Sequence, residues 1–146
     1  MSDRSWWSDV AHSIQVVVAC EDPARMTEFW AAALDYITQP PPDGFETWEH
    51  FADAVGIPED RRNDISAVVD PEGIGPRVLF ERWDGGAPNQ RVHIDMNSVH
   101  GGDATLVSER TRLEGLGATF KREASGMAGE TWIEMYDPEG NWFCVQ

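Results

Sequence analysis

The stretch TWIEMYDPEGNWFCV, residues 131–145, decides the fold. Two apolar runs flank Asp137-Pro138-Glu139-Gly140. Pro presets φ, Asp can bond its own backbone two residues on, and Gly takes the positive φ that closes a turn. Apolar strand, turn, apolar strand reads as a hairpin. The same four residues recur at Asp70-Pro71-Glu72-Gly73, between residues 65–69 and 77–83. Two such hairpins in one chain predict two copies of one module.

Working outward, residues 13–20 (SIQVVVAC) form a β-branched run and predict a strand. Asp22 reads as an N-cap with Pro23 at the first helical position. Met26, Phe29, Trp30, Ala33 and Leu34 then repeat at helical spacing, and the helix should end near Asp35-Tyr36. A short strand is expected at 37–39, before Pro40-Pro41-Pro42. Trp48, Phe51, Ala52 and Val55 predict a second helix over 47–55, closed by Gly56, with a polar connector at 60–63.

Residues 84–90 are a Gly/Pro/Asn loop and the expected joint between halves. Beyond it the order repeats. RVHIDMN, residues 91–97, alternates as a strand. Leu106, Arg110, Leu113 and Leu116 mark a helix from about 104, capped by Asp103 and ended by Gly117. Strands are expected at 119–122, 130–136 and 141–146. The prediction is an α+β chain: an arm at 1–12, one βαβββ module at 13–84 with a helical insert at about 45–62, and a second at 91–146.

The chain has 146 residues, with 41% hydrophobic and 25% charged, which is the composition of one globular domain. No apolar run is long enough to span a membrane and the N-terminus lacks a signal-peptide layout, so the expected location is cytoplasmic. Cys20 and Cys144 suit a reducing compartment, with a disulfide between them left open. The net charge of −15 argues against nucleic acid and suits either plain solubility or a cationic ligand. Seven tryptophans are unusual and suggest a lined ligand cavity.

The segments SIQVVVACEDPARMTEFWAAALDY, RVHIDM, LEGLGA and WIEMYDPEGNWFCV resemble the vicinal-oxygen-chelate superfamily, the glyoxalase, bleomycin-resistance and extradiol-dioxygenase group. The wording is most similar to actinobacterial glyoxalase-like domain members. The resemblance covers about residues 13–146. It implies that each module's mixed sheet curls into a half-barrel, with helices outside and a cavity within. It also implies a homodimer.

Metal-dependent members carry one ligand on the first and last strand of each module. Transferred to this chain, those positions are Gln15, His93 and Cys144, with the fourth at Phe80 or its neighbour Glu81. Of these only His93 is a strong ligand for a borderline metal, so no metal is the first expectation. If one binds, the set would be Gln15, Glu81, His93 and Cys144, holding iron, manganese, nickel or zinc.

The expected ligand-binding residues are Gln15, His93, Asp95, Trp48, Phe80, Trp132 and Cys144. His93 and Glu134 are candidate catalytic bases. Asp95 shares a face with His93, but neighbours on one face point in parallel and are not expected to bond directly. Glu134, with Trp132 on its face, would have a raised pKa if the cavity were closed, and a solvated position is the alternative. Trp83 and Trp142 are further pocket candidates, while Trp48 and Phe51 either stack on a ligand or merely dock their helix. The leading expectation is a metal-free pocket of bleomycin-resistance type taking an aromatic or cationic ligand. The alternative is a metal-dependent lyase or dioxygenase with an atypical site.

Overall fold

The computed structural model describes residues 12–85, 89–97 and 103–146, with the side chains of 103–105 outside that description. The expected arm with Trp6 and Trp7, and the side chain of the proposed cap Asp103, lie outside the described residues.

The first half runs β1 (Ile14–Cys20), α1 (Pro23–Leu34), β2 (Ile37–Thr38), α2 (Trp48–Val55), a 3-10 turn (Glu59–Arg61), β3 (Ile65–Val69) and β4 (Arg77–Arg82). The second runs β5 (Val92–Met96), α3 (Asp103–Gly115), β6 (Thr119–Ser125), β7 (Thr131–Tyr136) and β8 (Trp142–Val145). β6 runs three residues beyond the expected 119–122, because Ala124 and Ser125 keep pairing with β7.

The helix ends follow the capping residues. The Asp22 carboxylate accepts from the Arg25 N–H, and Pro23 occupies the first turn. Thr47 accepts from the His50 N–H, and Gly56 closes α2 at φ 78°. In the second hairpin turn, Asp137 Oδ1 accepts from the N–H groups of Glu139 and Asn141, both at 2.9 Å. Asp70 does the same for Glu72, Ile74 and Gly75. The Asn141 side-chain amide, donating to Asp137 Oδ2 at 2.9 Å, and these backbone donors favour the charged form and lower both carboxyl pKa values.

All strands join one eight-stranded mixed sheet, ordered β2-β3-β4-β1-β5-β8-β7-β6. The modules meet edge to edge within the chain, where β1 pairs antiparallel with β5. β1 is parallel to β4, and β5 to β8, so the halves mirror each other about that central pair.

The two faces differ. α1 packs on β3 and β4, where Thr27 donates to Ser66 at 2.8 Å, and α3 packs on β6 and β7. Under α3 lie Ile133, Met135 and Val145, with Leu106, Leu113 and Phe120 against them. Phe80, fully buried, belongs to this helix-covered face, in one cross-strand row with Val18 and Ser66. Burial of each such side chain contributes roughly 1.5–3 kcal/mol.

The opposite face carries none of the packing helices α1 and α3, yet Gln15, Val17, His93, Asp95, Glu134 and Cys144 on it are all buried. With no covering helix on it among the described residues, this buried face is read as the inner side of a curled, open sheet, a cup.

Candidate functional site

One row crosses the cup wall from edge to edge. Cross-strand partners run Arg77, Gln15, Asp95, Cys144, Glu134 and Arg122, from β4 through β1, β5, β8 and β7 to β6. Strand alternation puts all six on one side. The next row holds Leu79, Val17 and His93, and Glu81 follows beside Ala19.

The register corrects one expected site residue. Phe80 does not line the cavity: it is fully buried on the helix-covered face, and Glu81 takes the cup position. Ile74-Gly75-Pro76 lengthen the first hairpin relative to the second, so aligning the two turns slips the pairing by one residue. A one-residue slip exchanges the faces.

At the centre, His93 Nε2 stands 3.1 Å from Asp95 Oδ1. The two side chains come closer than parallel neighbours would, with His93 lying over Trp142, ring centroids 3.7 Å apart, yet they form no direct hydrogen bond, as expected. The contact has hydrogen-bond distance without the alignment. Asp95 Oδ1 is therefore the one buried side-chain polar atom among the described residues that has no hydrogen-bond partner. Its other oxygen accepts from the Gln15 amide, whose carbonyl accepts from Arg77. Arg77 Nε in turn donates to Gln39 at 2.6 Å. Burial pulls the Arg77 pKa down and the Asp95 charge pulls it up. Neither Arg77, Gln39 nor the relay they form was visible in sequence.

Cys144 joins this centre, its sulfur within 4.8 Å of donor atoms of His93 and Asp95. Burial, then the Asp95 and Glu134 carboxylates, push its thiol far above the ordinary range. Cys20 is on the other face, and both cysteines are free.

Glu134 contradicts the expected raised pKa and the solvated alternative alike. It is 4% exposed, and Arg122 grips it with two nitrogens at 2.8 and 2.7 Å. A bulge between Phe120 and Arg122 brings Lys121 Nζ to 2.9 Å on the same carboxylate. Those hydrogen bonds outweigh the cost of burial and lower its pKa to about 2. Such a group is a poor proton acceptor at neutral pH. Glu81 has the opposite balance: crowding by protein raises its pKa, His93 lowers it, and Asp95 and Glu134 raise it further.

Trp132 and Trp142 lie on the cup face, and Lys121 Nζ stands 5.0 Å from the Trp142 ring. Gln90 fixes Trp142 by bonding its backbone N–H and C=O, at 3.1 and 2.8 Å. Trp48 donates to the Gln39 carbonyl at 2.9 Å and packs edge-on to Phe51, so its visible role is to anchor α2. Trp83 follows β4 and is exposed.

The superfamily fold implies a metal, and the donors present can be tested for it. Two ligand atoms about 2.0–2.1 Å from one tetrahedral ion stand roughly 3.3 Å apart. His93 Nε2 and Asp95 Oδ1, at 3.1 Å and without a mutual hydrogen bond, fit that spacing. Cys144 supplies sulfur, and a coordinated thiol gives up its proton whatever its free pKa. Gln15 fits less well than expected, since its carbonyl is turned to Arg77. The spacing of His93 and Asp95 suits a borderline divalent ion, and Cys144 is near enough to join them.

A curled eight-stranded sheet of two strand-helix-three-strand halves, with ligand-type side chains on its inner face, defines a vicinal-oxygen-chelate protein. The chain belongs to the glyoxalase-like domain family, whose model matches residues 15–146. A search of curated proteins gave no match.

Among solved structures, the chain is similar to a Legionella pneumophila protein described as an NAD-dependent benzaldehyde dehydrogenase, at 13% identity and TM-score 0.57, covering 90% of this chain and 96% of that one. It is similar to a glyoxalase/bleomycin resistance protein/dioxygenase superfamily member from Vibrio splendidus 12B01, at 12% and 0.50, covering 92% and 97%. It is also similar to Streptomyces coelicolor methylmalonyl-CoA epimerase, at 13% and 0.50, covering 94% and 96%. At such identities the likeness is one of fold. No helix among the described residues is long and apolar enough to cross a membrane.

Proposed function

We propose that the cup is the site of a metal-assisted enzyme of lyase or isomerase type, with one divalent cation held by His93, Asp95 and Cys144. The observation that carries this reading is the buried Asp95 Oδ1, which has no aligned hydrogen-bond donor and stands 3.1 Å from His93 Nε2 beside the Cys144 thiol. A buried carboxylate oxygen without a donor is costly, and a cation shared with the adjacent imidazole removes the cost. When bound, the ion would supply Lewis acidity toward an oxygen of the small molecule. Gln15 and Arg77 orient Asp95 from behind, as outer partners of a metal ligand do. Glu81 is the carboxylate left to take or return a proton, and its raised pKa suits that task.

The test is elemental analysis after incubation with iron, manganese, nickel and zinc and desalting. About one equivalent of a single metal, lost on His93→Ala, is the expected result. No retained metal in the unaltered chain would overturn the reading.

A second reading has its own observation. Trp132, Trp142 and Tyr136 line the same face beside Lys121, an aromatic wall suited to a planar ligand. In a metal-free pocket of bleomycin-resistance type, Asp95 Oδ1 would accept an N–H from an aromatic or cationic ligand. Tryptophan fluorescence that responds to such compounds in chelator-treated protein, with no metal retained, would favour it.

A further inference from the structure

The charge inside the cup differs from that of the chain. Overall there are 26 acidic and 11 basic residues. On the cup-facing side of the described strands, Glu81, Asp95 and Glu134 are matched by Arg77, Lys121 and Arg122. Lys121 and Arg122 are both engaged with Glu134. Arg77 is not engaged in that way. It is half-buried, and among the described residues no carboxylate lies within ion-pair distance of it.

Its two partners are neutral amides. Nε donates to Gln39 and Nη1 to Gln15, which leaves Nη2 without an acceptor among the described residues. The Gln15 and Gln39 carbonyls fix the plane of the guanidinium without neutralising its charge. Inside a partly desolvated cup, a fixed guanidinium with Nη2 open can donate a charge-assisted hydrogen bond to an anion. A bland role also exists, since Arg77 balances Asp95 through Gln15. That role uses Nη1 and leaves Nη2 open.

We infer that Arg77 anchors the ligand's anionic group, so that the cup takes a small organic acid, its carboxylate on Arg77 and its body against the Trp142 side. This inference does not rest on the cation. It also reverses the expectation of a cationic ligand that the net charge of −15 suggested. The chain is strongly acidic while the charges on the cup strands balance, because the excess acidic residues sit elsewhere.

The test uses three planar probes of one shape: benzoate, benzamide and benzamidine. Each is titrated into chelator-treated, full-length protein, with tryptophan fluorescence and melting temperature as readouts. Benzoate should bind saturably, about tenfold or more tighter than either other probe. Arg77→Met should remove that preference, and Arg77→Lys, which keeps the charge and lessens any folding defect, should keep part of it.

Benzamidine binding as tightly as benzoate in the unaltered chain would overturn the inference, whatever the variants do. So would the absence of benzoate binding. Benzoate binding that appears only after zinc is added would place the carboxylate on the metal and overturn the inference while supporting the proposed function. Benzoate binding to a protein that retains no metal would do the reverse.

Discussion

Replacing Asp95 with Asn should make the metal-free protein more stable and the metal site useless. In the structure, Oδ2 accepts from Gln15 while Oδ1, on a residue 6% exposed, has no donor and faces His93 Nε2 at 3.1 Å. An Asn at this position can keep its oxygen toward Gln15 and present its NH2 to the imidazole. An unsatisfied buried polar group costs about 1–3 kcal/mol, and more when charged. Against this stands the lost attraction between Asp95 and Arg77, which Gln15 holds apart. The expected net gain is about 1–2 kcal/mol, or roughly 2–8 °C in Tm for a domain of this size. Metal affinity should fall more than about 100-fold, beyond the loss typical of a supporting group. The assay is thermal and urea denaturation with a chelator present, followed by competition for zinc against a chromophoric chelator. An Asp95→Asn variant less stable than the parent, with zinc affinity within about tenfold of it, would refute the reasoning.

Glu134 is held ionised with a pKa of about 2 against an ordinary 4.5. A depressed folded pKa gives stability that is full above about pH 4.5 and is lost as pH falls toward 2. That term is at most about 3 kcal/mol, and less because Arg122 is largely exposed and screened. An acid titration of stability should lose this drop in Glu134→Gln, while probe binding at pH 7 changes little if Glu134 is not a base. Phe80→Ala should cost about 3–5 kcal/mol by leaving a hole under α1, with metal content per folded chain unchanged. Ile14, Val92 and Ile94 lie side by side on the central strands and are 42%, 51% and 47% exposed on the face between α1 and α3. Sedimentation should show a homodimer that Ile94→Glu weakens, and a parent that sediments as a monomer would remove this surface from consideration.

The fold was legible because its signals are local. The paired Asp-Pro-Glu-Gly turns, the Asp22-Pro23 start of α1 and the Thr47 and Gly56 ends of α2 each act within a few residues. Of the site, Gln15, His93 and Cys144 follow from the family resemblance, Asp95 and Trp132 from strand alternation, and all five share one face. Phe80 was misplaced because the first hairpin is longer, and parity magnifies a slip of one residue into a change of face. Glu134 was misjudged because its partners come from β6, where the bulge near Lys121 aims two cations at one carboxylate. Arg77 reaches Asp95 only through Gln15, across three strands, so no spacing in the chain announces it. A basic residue alternating with the apolar positions of β4 was the available signal. The overall negative charge obscured it.

The most direct test is cobalt substitution followed by optical spectroscopy. One equivalent of cobalt should give tetrahedral ligand-field bands of high intensity, plus a thiolate-to-metal charge-transfer band. Cys144→Ser should remove the charge-transfer band, and His93→Ala or Asp95→Asn should abolish stoichiometric binding. Weak six-coordinate bands, or a spectrum that none of these three substitutions changes, would contradict a metal centre built from His93, Asp95 and Cys144.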